Sequence, residues 1–211
     1  MKLIVNLAAG LAFAWCSLTV AAETTAPDVL VKNTANDVLE IVRKDKDIQS
    51  GDMKKIGQLA EEKILPHFDF DRISRMVLGK HWSSATKEQQ EQFIVEFRSL
   101  LIRTYASALA KYRNQTIEYK PLRAQPGDTE VTVKTRVMQS GGQPLPIDYS
   151  LVKSNDSWRV YDVVIEGVSL VTTYRGQFST EVKQSGMDGL IQRLADKNRP
   201  SSAAGTDKKQ S

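Results

Sequence analysis

The stretch VYDVVIEGVSLVTTYRGQF, from Val160 to Phe178, changes its periodicity in the middle. Val160 to Ile165 is apolar apart from Asp162, as a buried strand is. From Val168 the apolar residues Val168, Val171, Tyr174, Phe178 and Val182 recur at steps of three and four, which predicts a helix. Gly167 stands between the two patterns, and Ser169 is placed to cap the helix that follows. A strand this apolar, feeding at once into a helix with an equally apolar face, is half of a core or one wall of a cavity.

The chain upstream of this stretch reads as more strands. EVTVKTRVMQ, beginning at Glu130, alternates, with Val131, Val133, Thr135 and Val137 on one face. LPIDYSLVKS, beginning at Leu145, alternates through Ile147, Tyr149 and Leu151. SGGQP and NDS are the turns that separate the runs. QTIEYKPL, beginning at Gln115, adds a first strand. Consecutive strands with short connections predict an antiparallel meander.

Further upstream the pattern is helical. Phe93, Phe97, Leu100, Leu101, Tyr105, Leu109 and Tyr112 form a broad apolar stripe, and Thr86 with Gln89 has capping-box spacing. Shorter amphipathic segments precede it, in APDVLVKNTANDVLEIVRKDKD, DMKKIGQLAEEKILPHF and DFDRISRMVLGKHW. GMDGLIQRLADK, from Gly186, is a last short helix. The expected fold is α+β. It has N-terminal helices, a twisted antiparallel sheet of about four strands and C-terminal helices, with an apolar cavity between helical layer and sheet.

The first residues have a different character. Lys2 precedes an apolar run from Leu3 to Val20, and small residues end at Ala22, as in a cleaved secretory signal peptide. The expected organisation is a signal peptide over 1–22, one domain over 23–198 and a disordered tail over 199–211. Cys16, the only cysteine, leaves with the signal segment, so the exported chain carries no disulfide and no thiol nucleophile. A net charge of +4, with the signs mixed along the chain, suits transient contact with anionic surfaces.

Polar chemistry is sparse. His67 and His81 lie near helix ends without ligand spacing. Ser169 lacks the surroundings of a nucleophile elbow. Asp69 with Asp71, and Asp162 with Glu166, are the carboxylate pairs available for acid–base work. Structural roles are the simpler reading of each. The excess is apolar, and a void lined that way takes an apolar ligand.

Two blocks resemble a known family. In LGKHWSSATKEQQEQFIVEFRSLLIRTYASALAKY, the matching elements are Leu78-Gly79, Trp82, Ala85-Thr86, Gln89, Phe93, Phe97, Leu101, Tyr105, Leu109 and Tyr112. In WRVYDVVIEGVSLVTTYRGQFSTEVKQSGMDGLIQRL they are Trp158, Tyr161-Asp162, Glu166 to Ser169, Gly186 and Leu190. Together, in this order, they resemble the MlaC or toluene-tolerance family of periplasmic phospholipid-binding proteins in the Mla pathway. The likeness runs from about Pro27 to Lys197.

The resemblance implies a soluble, monomeric carrier in the periplasm of Gram-negative bacteria. It would shuttle glycerophospholipid between an outer-membrane lipoprotein–porin complex and an inner-membrane ABC transporter with its periplasmic lipid-binding subunit. That traffic keeps the outer membrane asymmetric. It implies no cofactor, no metal, no nucleic acid and no catalytic residue. The alternative is an enzyme or small-molecule-binding module on a similar cone-shaped α+β fold.

The expected lipid-binding lining joins the inward stripe of the long helix to the sheet positions facing it. The helix supplies Phe93, Phe97, Leu101 and Tyr105. The sheet supplies Val133, Val137, Ile147, Tyr149, Leu151, Tyr161 and Val163. Met76 and Val77 would close one end, and Val168 and Val171 another. Lys80, Arg98, Arg103 and Arg136 are basic candidates for headgroup or partner contacts.

Overall fold

The alternating segments pair as consecutive antiparallel neighbours in the order β1-β2-β3-β4-β5. They are β1 (Thr116–Tyr119), β2 (Glu130–Met138), β3 (Leu145–Ser154), β4 (Ser157–Ile165) and β5 (Val168–Ser169). This computed structural model describes residues 25–112, 115–139, 141–155 and 157–199. The expected signal peptide and the tail from 200 onward lie outside the described residues.

The fifth strand corrects the expected count of about four. Glu166 (φ 52°) and Gly167 (φ 82°) both take the left-handed conformation. That is the two-residue turn that reverses a hairpin without splaying its strands. The chain therefore returns to pair Val168 with Ile165, and Ser169 with Val164, before it turns helical. Val168 belongs to β5, not to the helix in which its spacing placed it.

The helices precede and follow the sheet. They are α1 (Pro27–Lys44), α2 (Lys46–Ser50), α3 (Met53–Leu59), α4 (Phe70–Leu78), α5 (Lys80–Ser84), α6 (Lys87–Ala110) and α7 (Leu170–Asn198). A π turn over Ala60–Ile64 and a 3-10 turn over Leu65–His67 lead from α3 towards α4. The capping box of α6 is formed. Gln89 N–H donates to Thr86 Oγ1 at 3.2 Å, and Thr86 N–H donates to Gln89 Oε1 at 3.0 Å. α7 joins the two C-terminal helices expected from the sequence, with a kink at Gly186 (φ 71°, ψ −179°), a conformation open essentially to glycine alone.

The core has three parts. Helices α4 to α7 bury Ile73, Val77, Leu78, Trp82, Phe93, Phe97, Val171, Tyr174 and Phe178 among themselves. The Phe97 ring meets Tyr174 and Phe178 edge-on, with centroids 5.0 and 5.3 Å apart. Such pairs add roughly 0.5–1.5 kcal/mol each beyond the area they bury. A second cluster joins α1, α2 and α3 to the C-terminal end of α6 through Val42, Ile48, Ile56, Ala106 and Tyr112. The third lies on the sheet, where Val31 of α1 covers Val131, Val133, Leu151 and Val160. Among the described residues no helix is long and apolar enough to cross a membrane.

Candidate functional site

One face of the sheet is mostly apolar. Strand register sets its members. Val133 lies opposite Tyr149, Thr135 opposite Ile147, and Val137 opposite Leu145. Ile147 and Tyr149 in turn face Ile165 and Val163 of β4. Ile117 and Tyr119 of β1 face Val137 and Thr135. Residues directly opposite in an antiparallel pair share a face.

Burial falls along this face. At the end nearer the β3–β4 turn, Val131, Val133, Leu151 and Val160 are buried beneath α1. At the other end Val137, Leu145, Ile147 and Ile165 are only half-buried. The sheet is joined to the helices at one edge by β4, which packs on α4 and α7, and by β2 under α1. Helix α6 has its principal partners in α3, α4 and α7 instead. The half-buried end of this face is the candidate floor of an apolar trough.

Tyr149 locates the middle of that floor. Its side chain is half-buried, yet burial pushes its hydroxyl up to about 12, with Tyr119 beside it raising it further. On the helical side Tyr105 of α6 is also half-buried. Burial raises its hydroxyl above the ordinary range, and so does the hydrogen-bonded Tyr174 of α7.

The expected lining divides into separate groups. Val137, Ile147, Tyr149 and Val163 share one face of the sheet. Val133 and Leu151 share its face but are sealed in the sheet cluster at 1 % and 0 % exposure. Phe93 (0 % exposed), Phe97, Val77 and Val171 pack in the core among the helices. Met76 and Leu101 pack against that same cluster, half-buried. Val168 is 58 % exposed on the edge strand.

Tyr161 is turned to the other face. Ser150 pairs with Asp162 but Leu151 pairs with Val160, so a β-bulge leaves Tyr161 without a partner and reverses its direction. Its hydroxyl donates to Glu130 Oε2 at 3.1 Å, and the Arg72 guanidinium lies 4.1 Å from its ring centre. Arg72 also donates to Glu130 Oε1 at 2.7 Å, which holds that carboxyl below the usual carboxylate range. Ile117, Tyr119, Leu145 and Ile165 were missing from the expected lining. Continuing the alternation to both ends of each strand would have found them.

The polar candidates have structural partners. Asp69 caps α4, accepting from Arg72 N–H at 2.9 Å, and Asp71 pairs with Arg75 at 2.8 Å. Asp162 accepts from Ser169 Oγ at 2.6 Å and from Val171 N–H at 3.1 Å. Ser169 Oγ accepts from Thr172 N–H at 3.0 Å, the expected cap. Asp162 therefore orders the β4–α7 corner, whereas Glu166 sits in the turn with its N–H donated to Pro146 O. Arg98 pairs with Glu61 at 2.6 Å and lies over Phe70. His67 is held below its ordinary range by burial and by Arg159 nearby. Two surface grooves, of about 260 and 230 Å³, lie elsewhere. Asp37, Glu40 and Lys63 line one, and His67, Trp158 and Arg159 the other. Neither reaches the roughly 300 Å³ at which small-molecule sites begin.

Known proteins resemble this chain. A phospholipid-binding protein from Ralstonia solanacearum, solved in complex with a phospholipid, is 44 % identical with a TM-score of 0.77, over 81 % of this chain and 96 % of that one. Toluene tolerance protein ttg2D of Pseudomonas putida is 28 % identical over 172 residues, 81 % of this chain and 79 % of that protein. The intermembrane phospholipid transport system binding protein MlaC of Haemophilus influenzae is 26 % identical over 173 residues, 81 % of each. The family described as MlaC protein matches residues 32–196, nearly the whole described chain, and the chain belongs to that family.

Proposed function

We propose that this protein carries glycerophospholipid, holding the acyl chains in the trough between α6 and the sheet with the headgroup at the half-buried end. The observation that carries the reading is the phospholipid bound by the Ralstonia protein, which is 44 % identical and has the same fold. A half-buried apolar floor in this chain supports it. The physics of transfer explains why such a protein is needed. Two acyl chains hold about 30 methylenes, and at ~0.8 kcal/mol each their exposure to water costs on the order of 25 kcal/mol. A carrier must replace the bilayer with an apolar interior of similar quality, so that loading and release stay near balance.

In this reading residues 1–22 are a signal peptide removed on export, and 23–198 are one lipid-binding domain. The carrier works in the periplasm as a monomer. It receives lipid from an outer-membrane lipoprotein–porin complex and meets an inner-membrane ABC transporter through that transporter's periplasmic lipid-binding subunit. It requires no reaction. The Asp69, Asp71 and Asp162 carboxylates are engaged in caps, an ion pair and a corner, in keeping with a binding role.

Native mass spectrometry of the mature protein, followed by lipid extraction, tests the reading. The expected result is a protein carrying phospholipid mass that exchanges with vesicles. Protein that is lipid-free and takes up nothing from vesicles would overturn it.

A further inference from the structure

Polar side chains interrupt the trough floor at one place. Tyr119 and Thr135 lie opposite each other across β1 and β2, and Tyr149 lies on the same face one step further along. Thr135 Oγ1, 2 % exposed, already donates to Ile147 O at 2.7 Å. The Tyr119 hydroxyl is buried and meets no acceptor among the described residues. The Tyr149 hydroxyl beside it is desolvated, hydrogen-bonds with Thr135 and stays protonated across the physiological range. A face that held hydrocarbon alone would favour phenylalanine at position 119, because a buried donor without an acceptor is costly. The unpartnered Tyr119 phenol on this floor points to a ligand that brings an oxygen.

We propose that Tyr119 and Tyr149 donate to an ester carbonyl oxygen of the bound lipid, so that the carrier prefers acyl-ester lipids over ether-linked ones. The proposal rests on the carrier reading and specifies its ligand. The position suits it. Thr135 and Tyr119 lie one two-residue step, roughly 7 Å, inside Val137 at the half-buried end. Ester groups join the headgroup region to the chains, so they would pass this level as the tails run deeper. A carbonyl oxygen accepts a phenol proton well, whereas an ether linkage offers no carbonyl. One neutral hydrogen bond corresponds to roughly a two- to tenfold preference.

The test is competitive loading from vesicles that contain equal amounts of a diacyl and a dialkyl phosphatidylcholine of matched chain length. Bound lipid is then extracted and quantified by mass spectrometry. Wild-type protein is expected to be enriched in the diacyl lipid. Tyr119→Phe with Tyr149→Phe should return the ratio to that of the vesicles while total bound lipid is kept. Tyr161→Phe, on the opposite face, should leave the preference intact. Each single variant, Tyr119→Phe or Tyr149→Phe, should lower the preference part of the way, which keeps the test valid if the double variant does not fold. Equal uptake of the two lipids by wild-type protein would overturn the ester preference. A preference that survives in a folded double variant would overturn the assignment to these tyrosines. Uptake of neither lipid would instead overturn the carrier reading itself.

Discussion

Asp162 is the residue on which the β4–α7 corner depends. Its carboxylate accepts from the Val163 and Val171 amides and from Ser169 Oγ, and Ser169 in turn caps α7. Asp162→Ala should cost about 2–3 kcal/mol, since buried donors would lose a charged acceptor. Urea denaturation would measure it, and an unchanged midpoint would remove Asp162 from this role.

Tyr149 makes an alkaline prediction at the same scale. Its hydroxyl titrates near 12 in the folded protein against an ordinary value near 10. Between those values the folded state holds the proton that the unfolded state has released, so this group's contribution falls as pH rises from about 10 to 12. The contribution lost is on the order of 3 kcal/mol. Ultraviolet titration of tyrosinate should show a late-ionising group that is absent from Tyr149→Phe. A titration in which that variant and wild-type protein coincide would refute the assignment.

Among the elements, α6 and α7 hold the helical layer together through aromatic contact. Phe97 meets Phe93, Tyr174 and Phe178, with centroids 5.5, 5.0 and 5.3 Å away. Phe97→Ala should destabilise by about 3–5 kcal/mol, a cavity effect. Val95, on the same helix but 58 % exposed, is the control, and Val95→Ala should change little. Equal denaturation midpoints for the two variants would mean that the helical layer is not packed as described.

At the scale of the molecule, the distinction is between apolar surface that closes on itself and apolar surface left open. Leu151 is fully buried under α1, and Ile147 on the same strand and face is half-buried. Leu151→Trp should overpack the sheet cluster and lower stability by about 1–3 kcal/mol. Ile147→Trp should keep the fold and reduce copurified lipid. Thermal unfolding together with lipid quantification separates the two. Undiminished lipid in a folded Ile147→Trp protein would count against the trough as the lipid site.

Element types, the meander and the helical caps were legible in the sequence because each depends on neighbours a few residues apart. Alternation in β2 and β3, the Thr86–Gln89 box and the Ser169 cap are all of that kind. The likeness to the MlaC family was legible too, carried by two blocks of ordered residues and matched over 32–196. Only the tertiary structure decided which apolar residues meet one another. Phe93 and Tyr149 are equally apolar in a sequence pattern, yet one is sealed between helices and the other lies half-buried on the sheet. Tyr161 is reversed by a bulge that depends on its pairing with β3, a partner that alternation within β4 cannot reveal. Hydrophobicity drives residues out of water without choosing a partner. That choice comes from strand register and helix packing, which exist only once distant segments are in contact.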